Sequence, residues 1–514
     1  MVAEQIICLA TFLLKGGENT VSKFNKTNTN KTENRSGYSA YKMPEKEQLV
    51  AAVLTTMFGE PKFYGSTDDD IVDLATKCAK TDPAFLAKLA CYARNVNNMR
   101  SVSHVLTAVI ARHAHEYTRT TIRNVVVRPD DITEIMSCYN SMYGKPFPNA
   151  MKREVANVLQ RFDEYQIAKY NGGNKSLKFR DVLRITHPTP KTEATESLFN
   201  KIINDTLETP YTWEVELSTR GNTKQVWNEL ISSGKVGYMA LLRNLRNIVK
   251  SGANIYPVLQ TLADPDQVHK SRQLPFRFYS AYQTLSKEKL LTPDIHRALE
   301  SAIIASVDNM EQIPGRTLVA VDVSGSMGST VSSKSDVRCC DIAALFGAIS
   351  SRLCEDATVC YFDSASGWYS GTKSKGYRTA HYGKYDSILE ICANNAFAGG
   401  GTDLSLPMKY ALEDDKSVNL RPFDRAIYFS DNECNSSWGG LYRTVQGQVD
   451  EYRRRYNKEF WVHGVDLQGY GTQQFCGYHF NLIAGWSENV FPFINLAEAG
   501  ISSLVETIEA YEMK

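Results

Sequence analysis

The sequence predicts a multidomain fold of α plus α/β class, in which a HEAT-like α-helical part is followed by a Rossmann-like, doubly wound α/β domain. Three observations lead to this prediction. Apolar residues recur at helical spacing over residues 45–312. After Pro314-Gly315, short β-branched and aromatic runs alternate with helical stretches, which is typical of a mostly parallel sheet. A chain of 514 residues also exceeds what one hydrophobic core accommodates. We therefore place the domain boundary between residues 312 and 313.

Successive helical segments in residues 45–312 pair in a way that is typical of α-solenoids. The pairs 68–79 with 83–95 and 101–115 with 131–140 suggest HEAT-like hairpins. The segment YMALLRNLRNIVK shows the helical pattern clearly. We expect one face to carry apolar side chains and another to carry basic ones. The apolar set is Met239, Leu242, Leu245 and Val249, and the basic set is Arg243, Arg246 and Lys250.

The first 44 residues differ in composition from the rest of the chain. Residues 19–42 are rich in Asn, Thr, Lys and Ser with little apolar content, so we predict that 1–44 form a disordered arm. Residues 15–18 (KGGE) back-translate to a purine-rich, ribosome-binding-like stretch ahead of Val21. We therefore hypothesise that translation begins at Val21 and that residues 1–20 are not naturally translated.

Overall composition indicates a globular protein whose halves differ in charge. Hydrophobic residues make up 43% and charged residues 22% of the chain, and no apolar run is long enough for a membrane span, so we expect a cytoplasmic protein without membrane contact. The 11 cysteines are odd in number and lack a Cys-x-x-Cys pair, which favours free thiols. Residues 1–312 carry 40 Lys and Arg against 33 Asp and Glu, whereas residues 313–514 carry 18 against 24. The basic half therefore suits a polyanionic partner.

Oxygen-bearing side chains follow two predicted strands of the α/β domain and one glycine-rich loop. The first strand ends in Asp322, Ser324 and Ser326; the loop Gly399-Gly400-Gly401 leads to Thr402; and the strand RAIYFS leads to Asp431. The carboxyl ends of parallel strands collect ligands at one edge of an open α/β sheet. Two carboxylates and three hydroxyls form a hard oxygen shell suited to Mg²⁺ or Mn²⁺, and the lack of His and Cys argues against zinc.

This constellation resembles the metal-ion-dependent adhesion site (MIDAS) of von Willebrand factor A domains. The resemblance implies that Asp322, Ser324 and Ser326 contact the metal directly or through water, and that Thr402 and Asp431 complete the site. It also implies that a carboxylate from a partner takes the open coordination position, so that the site docks a partner and is not catalytic. Capping of a loop is the alternative explanation for Asp-x-Ser-x-Ser taken alone.

Several motifs resemble the TROVE family, named for telomerase, Ro and vault proteins, and in particular the Ro autoantigen and its bacterial relatives. In the helical half these are YMALLRNLRNI (238–248), FRDVLRITHPTP (179–190), LPFRFYSAYQTL (274–285) and, more loosely, LACYARNVNNMRSVSHVL (89–106). In the α/β half they are AVDVSGSM, AGGGTDLSLPM and FSDNE. The resemblance covers residues 45–514 and implies a helical ring followed by a von Willebrand factor A domain.

The resemblance also implies an RNA-binding surface on the helical half. Lys169, Arg184 and His187 match basic and histidine positions of a family segment. Lys175, Lys178 and Arg180 are approximate counterparts, because NGGNKSLKF (171–179) is less basic and about one residue longer than that segment. Lys and Arg along helices suit phosphates, and Tyr165 and Tyr170 among them suit stacking on bases. The candidate RNA-binding residues are Lys169, Tyr170, Lys175, Arg180, Arg184, His187, Arg243 and Arg246.

Structural explanations exist for the same residues. A charge on a helix is commonly a solvated face, and a histidine before a proline is commonly a turn residue. Arg243 and Arg246 equally suit bridges between neighbouring helices. The run Arg453, Arg454 and Arg455 in the acidic half is better explained as a solvated helix face than as a second RNA contact.

Taken together, the sequence predicts a Ro-like RNA-binding protein and not an enzyme. The resemblance to Ro proteins implies that the ligands are small noncoding Y-like RNAs and the ends of misfolded RNAs. We expect a monomer that acts in RNA quality control or as a ribonucleoprotein scaffold, with an exoribonuclease such as polynucleotide phosphorylase as a partner. The alternative is a metal-dependent protein-interaction module without a specific RNA ligand. Direct cleavage of phosphodiesters is disfavoured because one oxygen-ligated ion lacks a second metal and a general base. The absence of a Gly-x-x-x-x-Gly-Lys loop disfavours a chelatase-type ATPase.

Overall fold

A computed structural model of the chain divides into two compact units. It describes residues 31–33, 39–54, 67–172, 176–308, 310–330, 336–364, 375–434, 444–469, 472–484, 490–499 and 504–514. The helical unit contains the described residues from 67 to 257 together with 508–514. The sheet unit contains those from 258 to 507 together with 31–33 and 39–54. The predicted class, helices followed by an α/β sheet with parallel strands, is confirmed.

The elements run along the chain as follows. The first are β1 (Lys31–Glu33), β2 (Ser39–Lys42) and α1 (Glu45–Leu54), which belong to the sheet unit. The helical unit then contains α2 (Thr67–Thr81), α3 (Pro83–Asn95), α4 (Ser101–His113), α5 (His115–Val125), α6 (Pro129–Tyr143), α7 (Asn149–Leu159), α8 (Glu164–Tyr170), α9 (Phe179–Thr186), α10 (Glu193–Asn204), α11 (Trp213–Arg220), α12 (Lys224–Ser232) and α13 (Tyr238–Ser251). None of the helices in the described ranges is long and apolar enough to cross a membrane.

Short polar side chains set where many of these helices begin. The Asp82 carboxylate accepts a hydrogen bond from the backbone N–H of Phe85 at 3.0 Å, and Pro83 is the first residue of α3. Both features suit the first turn, where backbone N–H groups lack partners within the helix. Threonine hydroxyls cap α10, α11 and α12 in the same way, from Thr192, Thr212 and Thr223.

The core of the helical unit forms around α4. Its residues from Val102 to Ala111 are all buried, and it packs on α2, α3, α5 and α6. Because such a helix is buried on every side, its polar side chains cannot bond to water and must find hydrogen-bond partners within the helix or next to it. Ser103 and Thr107 do so by donating their hydroxyls to the carbonyls of Met99 and Ser103, each at 2.7 Å.

One buried carboxylate joins α3, α4 and α6. Asp131, in the first turn of α6, is fully buried and accepts hydrogen bonds from Arg94 at 3.1 Å, Arg100 at 3.0 Å and His104 at 3.0 Å. Two backbone N–H groups of the preceding loop also donate to it, at 2.8 and 3.0 Å. Burial alone raises the pKa of a carboxyl group, but these donors, led by His104, hold the pKa of Asp131 far below its usual range. Asp131 therefore stays ionised and fixes the three helices relative to one another.

We predict that Asp131→Asn destabilises the helical unit strongly. The substitution leaves buried cationic groups without their anion, which costs about 3–5 kcal/mol for buried ion pairs. The free energy of unfolding, measured by urea titration with circular dichroism, should fall by that amount. Glu116→Gln, on an exposed position in the first turn of α5, is the matched control and should leave it unchanged. Equal stability of both variants would contradict the assignment of Asp131 as the joining residue.

After α13 the chain continues with four helices and then with alternating strands and helices. These belong to the sheet unit, except that residues 256–257 of the first helix and 508–509 of the last belong to the helical unit. The helices are α14 (Tyr256–Ala263), α15 (Pro265–Ser271), α16 (Pro275–Lys287) and α17 (Pro293–Val307). The later elements are β3 (Ile313–Asp322), α18 (Cys339–Leu353), β4 (Cys354–Phe362), β5 (Tyr377–Ala380), α19 (Ile388–Asn395), α20 (Leu406–Lys409), β6 (Arg425–Ser430), α21 (Val445–Arg455), β7 (Trp461–Asp466), β8 (Thr472–Gln473), β9 (Phe480–Ala484), α22 (Val490–Glu498) and α23 (Leu504–Glu509). The cysteines in the described ranges are free thiols, as predicted.

The main sheet has the order β5-β4-β3-β6-β7-β9, and only β5 runs antiparallel to its neighbour. The chain places β4 on one side of β3 and then returns to place β6 on the other side. The carboxyl end of β3 is therefore a topological switch point, where open α/β sheets commonly bind ligands. The register aligns Asp322 of β3 with Phe362 of β4, and Val321 with Phe429 of β6. These strand ends consequently lie at one edge.

A second, smaller sheet shows that residues 31–33 and 39–42, within the segment predicted to be a disordered arm over residues 1–44, form strands. Strands β1, β2 and β8 form an antiparallel sheet in the order β1-β2-β8, with Tyr41 opposite Gln473. Ala40 and Met43 are buried. The polar composition of this segment was misleading because backbone pairing and two buried apolar side chains suffice to form a strand. Val21 and the remainder of residues 1–30 lie outside the described residues.

The compact units do not divide at the predicted boundary between 312 and 313. Helices α15 to α17 belong to the sheet unit, and residues 508–514 belong to the helical unit. The carboxylate of Glu300 in α17 explains part of this arrangement, because it caps α19. It accepts hydrogen bonds from the Ser387 hydroxyl at 2.8 Å and from the backbone N–H groups of Ile388 and Leu389 at 2.8 and 3.1 Å. The change of sequence pattern marks where strands begin, and α17 nevertheless packs on α19, a helix of the sheet unit.

Candidate metal centre and nucleic-acid interface

The loop after β3 folds back on the last residue of the strand. Asp322 and Ser324 are fully buried, and the backbone N–H of Ser324 donates to Asp322 Oδ1 at 2.9 Å. Ser326 lies in a short 3-10 turn, Gly325–Gly328, and its hydroxyl is 3.2 Å from the hydroxyl of Ser324. The Asp-x-Ser-x-Ser spacing thus places one carboxylate and two hydroxyls together in one loop.

The end of β6 brings the second carboxylate to the same place. The Ser430 hydroxyl donates to Asp322 Oδ2 at 2.6 Å, and Asp431 follows Ser430 directly. Asp431 is fully buried, and its Oδ1 accepts from the backbone N–H of Glu433 at 3.2 Å. Its Oδ2 has no hydrogen-bond partner among the described residues. A buried carboxylate oxygen without a donor is costly unless a cation satisfies it.

The glycine-rich loop lies against the loop after β3. The backbone N–H of Gly399 donates to the Val323 carbonyl at 2.9 Å, and that of Gly325 donates to the Gly400 carbonyl at 3.1 Å. Gly400 has a φ of +78°, a backbone conformation that favours glycine, and a Cβ there would crowd Asp363 Oδ2 at 3.2 Å. This backbone pairing carries the buried Thr402 to the same edge of the sheet.

The electrostatics of the two carboxylates are unusual for this chain. Burial raises the pKa of Asp322 to about 6 despite hydrogen bonds from Ser324 and Ser430, and the charge of Asp363 adds to the increase. Burial, followed by the charge of Asp322, raises the pKa of Asp431 well above its usual range. Among the described residues, no Lys, Arg or His side chain forms an ion pair with either carboxylate. Two adjacent buried carboxylates without a cation are mutually destabilising.

These residues fit a hard divalent cation. The donor set contains only oxygen, two of its members are carboxylates, and one carboxylate oxygen lacks a partner. No group of three or more His, Cys, Asp or Glu side chains with metal-holding geometry occurs in the described ranges.

Sequence reasoning missed two residues of this edge. Ser430 holds Asp322 by the hydrogen bond described above, and the buried Asp363 follows β4 directly. The backbone carbonyl of Asp363 accepts from the N–H of Asp403 at 2.6 Å, which ties the glycine-rich loop to β4. The rule that strand ends meet at one edge applies equally to TVCYFD, so the sequence contained the signal for Asp363.

We predict that Asp431→Asn stabilises the protein when divalent metal is removed. The substitution eliminates the repulsion between two buried carboxylates while keeping the acceptor for Glu433, so the free energy of unfolding in a chelator should rise, by about 1 kcal/mol. Thermal unfolding at neutral pH measures this. Asp266→Asn, at an exposed position in the same unit, should have no effect. Destabilisation by Asp431→Asn in the chelator would mean that the carboxylate has a favourable partner in the metal-free protein.

In the helical unit, α9 presents a basic face. Arg180, Arg184 and His187 follow one another at spacings of four and three residues, so they lie along one side of the helix, and all three are exposed. His187 ends the helix in the left-handed region, with φ 45°, and its backbone N–H donates to the Leu183 carbonyl at 2.9 Å. His187 is therefore a turn residue by its backbone, while its side chain remains available at the surface.

The two tyrosines of α8 that were considered from the sequence lie in different environments. Lys169 is exposed, but Tyr170 is half-buried and the Arg128 guanidinium lies 4.4 Å from the centre of its ring. Burial raises the pKa of the Tyr170 hydroxyl. One face of the Tyr170 ring is thus covered by a cation, whereas Tyr165 is 50% exposed. Lys175 lies outside the described residues.

Arg243 and Arg246 lie on a different helix, α13, which packs on α12. Both are exposed, together with Lys250 and Met239. The assignment of Met239 to the apolar face was wrong: it is 50% exposed and lies four residues before Arg243 on the basic side. A residue in the first turn has few neighbours on the helix to bury it, so periodicity is weakest there.

The arginines of α21 have structural partners. Arg454 and Arg455 both pair with Glu451, and Arg453 donates to the backbone carbonyls of Phe460 and His479 at 3.0 and 3.1 Å. The exposed Arg454 and Arg455 agree with the explanation of the run as a solvated helix face. For Arg453 that explanation was wrong, because its side chain is only 13% exposed and its backbone contacts fix the start of β7.

Comparisons with known proteins match both halves of the chain. The model of the TROVE domain matches residues 47–208 and 204–312, and the model of the Ro60 vWA domain matches residues 316–459. The crystal structure of the Deinococcus radiodurans RO (RSR) protein superposes with a TM-score of 0.60 at 17% identity, covering 89% of this chain and 100% of that one. At that identity, the likeness shows the fold.

Curated relatives are similar over part of their length. The telomerase protein component 1 of Rattus norvegicus is 26% identical over 43% of this chain and 12% of its own length. The RNA-binding protein RO60 of Caenorhabditis elegans is 27% identical over 46% of this chain and 35% of its own length. The matched regions thus span about one eighth and about one third of these relatives.

Proposed function

Because the chain belongs to the TROVE family and carries a Ro60-type von Willebrand factor A domain after its TROVE domain, we propose that it is an RNA-binding protein. The observation that carries the proposal is the exposed basic face of α9, formed by Arg180, Arg184 and His187. It lies within the region matched by the TROVE model, and the relative from C. elegans is named as an RNA-binding protein. Cations along one helix face suit a phosphate backbone.

In this proposal the ligands are small noncoding RNAs of the Y type and the ends of misfolded RNAs. Lys169, Tyr170 and Lys175, which precede α9 in the sequence, supply further contacts, as do Arg243 and Arg246 on α13. The protein acts without catalysis as a cytoplasmic monomer, either in RNA quality control or as a scaffold. As a scaffold it presents RNA to an exoribonuclease such as polynucleotide phosphorylase.

We predict that Arg180→Glu/Arg184→Glu weakens RNA binding at least about tenfold at moderate salt, because two phosphate contacts become repulsive. The slope of log affinity against log salt should fall by about 2. Fluorescence anisotropy with a labelled structured RNA measures both quantities. Arg454→Glu/Arg455→Glu makes the same charge change on α21 and is the matched control. If both variants bind RNA as tightly as the unaltered protein, α9 is not the RNA-binding face.

A second function is favoured by the buried pair Asp322 and Asp431. We propose that Asp322, Ser324, Ser326, Thr402 and Asp431 hold Mg²⁺ or Mn²⁺ and that the ion docks a carboxylate of a protein partner. The unpartnered Asp431 Oδ2 and the elevated pKa values of the two carboxyl groups support this proposal. This docking activity is also the alternative to specific RNA binding as the main function.

For the metal site, we expect Mg²⁺ or Mn²⁺ to raise the melting temperature of the unaltered protein, because binding to the folded state alone stabilises it. Differential scanning fluorimetry should show no such rise for Asp322→Ala or Asp431→Asn. Ca²⁺ in place of Mg²⁺ or Mn²⁺ tests preference for a smaller ion. RNA affinity should be the same with metal and with chelator. An equal rise in melting temperature for the unaltered protein and both variants would exclude this site.

A further inference from the structure

Asn432 follows Asp431 directly in the loop after β6, and it is only 3% exposed. Its φ is 59°, in the left-handed region that asparagine tolerates better than most residues. Two side chains hold its backbone in this conformation. The Asn432 N–H donates to the Ser430 hydroxyl at 3.1 Å, and the Asn432 carbonyl accepts from Gln474 Nε2 at 3.3 Å. The backbone of Asn432 is therefore fixed on both sides.

The Ser430 hydroxyl connects Asn432 to the candidate metal site. It donates to Asp322 Oδ2 at 2.6 Å while it accepts from the N–H of Asn432. Asn432 is thus two hydrogen bonds away from Asp322 and one peptide bond away from Asp431. These connections place Asn432 beside the site, although it is not one of the oxygen-bearing residues proposed to hold the ion.

The side-chain amide of Asn432 is buried without an acceptor. Its Nδ2 atom has no hydrogen-bond partner among the described residues, and the same is true of Oδ2 of the adjacent Asp431. A buried donor without an acceptor is destabilising, as is a buried acceptor without a donor. A donor and an acceptor on consecutive residues therefore both lack partners, and they do not satisfy each other.

The two unsatisfied atoms require different chemistry. A divalent cation suits the Asp431 oxygen, but it cannot satisfy an N–H group, whose hydrogen carries partial positive charge. Water on such a cation does not satisfy the N–H group either, because its lone pair faces the metal and its hydrogens face outward. Asn432 Nδ2 instead needs an oxygen acceptor. A carboxylate suits both requirements, because one of its oxygens can face the cation and the other can accept from Nδ2.

We propose that Asn432 determines the specificity of the metal site, by donating from Nδ2 to the oxygen of a docked carboxylate that the cation does not bind. The inference rests on the proposed docking function of this site and names the group that it selects. A side-chain amide of a partner would turn its own NH2 group toward Nδ2, and two facing donors repel each other. Asn432 therefore selects aspartate or glutamate of the partner over asparagine or glutamine.

A phosphate group offers the same pair of oxygens, but the charge of the chain around the site disfavours RNA as its source. Residues 313–514 carry 18 Lys and Arg against 24 Asp and Glu. A net negative charge repels a phosphate backbone, whereas one carboxylate on a protein brings a single negative charge. The occupant is therefore a side-chain carboxylate of a protein partner.

The test uses the full-length chain loaded with Mn²⁺, with acetate and acetamide as probes. Electron paramagnetic resonance of free Mn²⁺ measures metal affinity, and water-proton relaxation measures how each probe displaces Mn²⁺-bound water. Asn432→Gly removes the amide and suits the positive φ. Its Mn²⁺ affinity should stay within about twofold, because an N–H donor is not a metal ligand. Its acetate affinity should fall at least about tenfold, because a hydrogen bond to a charged group is lost.

Asn432→Asp keeps the size of the side chain and replaces the donor by an acceptor. This variant should repel acetate and accept from the NH2 group of acetamide, so its preference should change from acetate to acetamide. Asn394→Asp makes the same change at an exposed position of the same unit and should retain the preference for acetate. Inorganic phosphate is the third probe, because it represents the competing occupant.

The metal-free melting temperature shows whether the amide has a structural role. Because Nδ2 has no partner to lose among the described residues, Asn432→Gly should melt at the same temperature as the unaltered protein or higher. A lower melting temperature would mean that the amide has a partner within the protein, and it would overturn the inference.

The remaining outcomes separate this inference from the function on which it rests. If the unaltered protein binds no Mn²⁺, the proposed docking function fails and the inference fails with it. Mn²⁺ binding that acetate does not perturb overturns carboxylate docking. If Asn432→Gly binds Mn²⁺ and acetate as the unaltered protein does, Asn432 serves only the turn, and docking remains without this specificity residue. Phosphate that binds more tightly than acetate, and that is weakened by Asn432→Gly, would overturn the carboxylate as the occupant.

Discussion

A carboxylate that is taken out of water must be matched by donors or by a cation, and both units of this chain are organised around that constraint. In the helical unit, Asp131 is matched by Arg94, Arg100 and His104, and the match joins three helices. In the sheet unit, burial would raise the pKa of Glu498, but hydrogen bonds from His463 and Arg425 lower it to about 2. Asp131 is fully buried and Glu498 is partly buried, and each accepts hydrogen bonds from arginine and histidine side chains.

The pair Asp322 and Asp431 departs from that rule, and the departure is informative. Their described neighbours are hydroxyls, backbone N–H groups and other carboxylates, and the pKa of each is raised instead of lowered. Arginine side chains donate hydrogen bonds to Asp131 and to Glu498, so this fold does place arginines beside carboxylates that are removed from water. None lies beside Asp322 or Asp431 among the described residues, which supports the proposal that a bound ion supplies the positive charge.

Much of this edge was predictable from the sequence, because its geometry depends on strand order alone. Once RTLVAV and RAIYFS are recognised as parallel strands, the residues that follow them must share an edge, whatever the helices between them do. Other features depended on contacts that periodicity does not encode. The pairing of Tyr41 with Gln473, the cap that Glu300 provides for α19, and the contact between Tyr165 and Tyr211 each join segments far apart in sequence. The sequence therefore indicated which face of a helix a residue occupies, but it did not indicate which residues from distant segments its side chain contacts.

The two candidate sites also differ in the physical origin of their binding free energies. This difference allows an experiment to distinguish binding at one site from binding at the other. The basic residues of α8, α9 and α13 are exposed, so each contributes little by itself and its contribution is screened by salt. RNA affinity on such a surface must therefore come from several phosphates, with stacking adding a contribution that salt affects weakly. The metal site is buried, so a few oxygen ligands interact strongly and salt has little influence. Salt should consequently weaken RNA binding while leaving metal binding nearly unchanged.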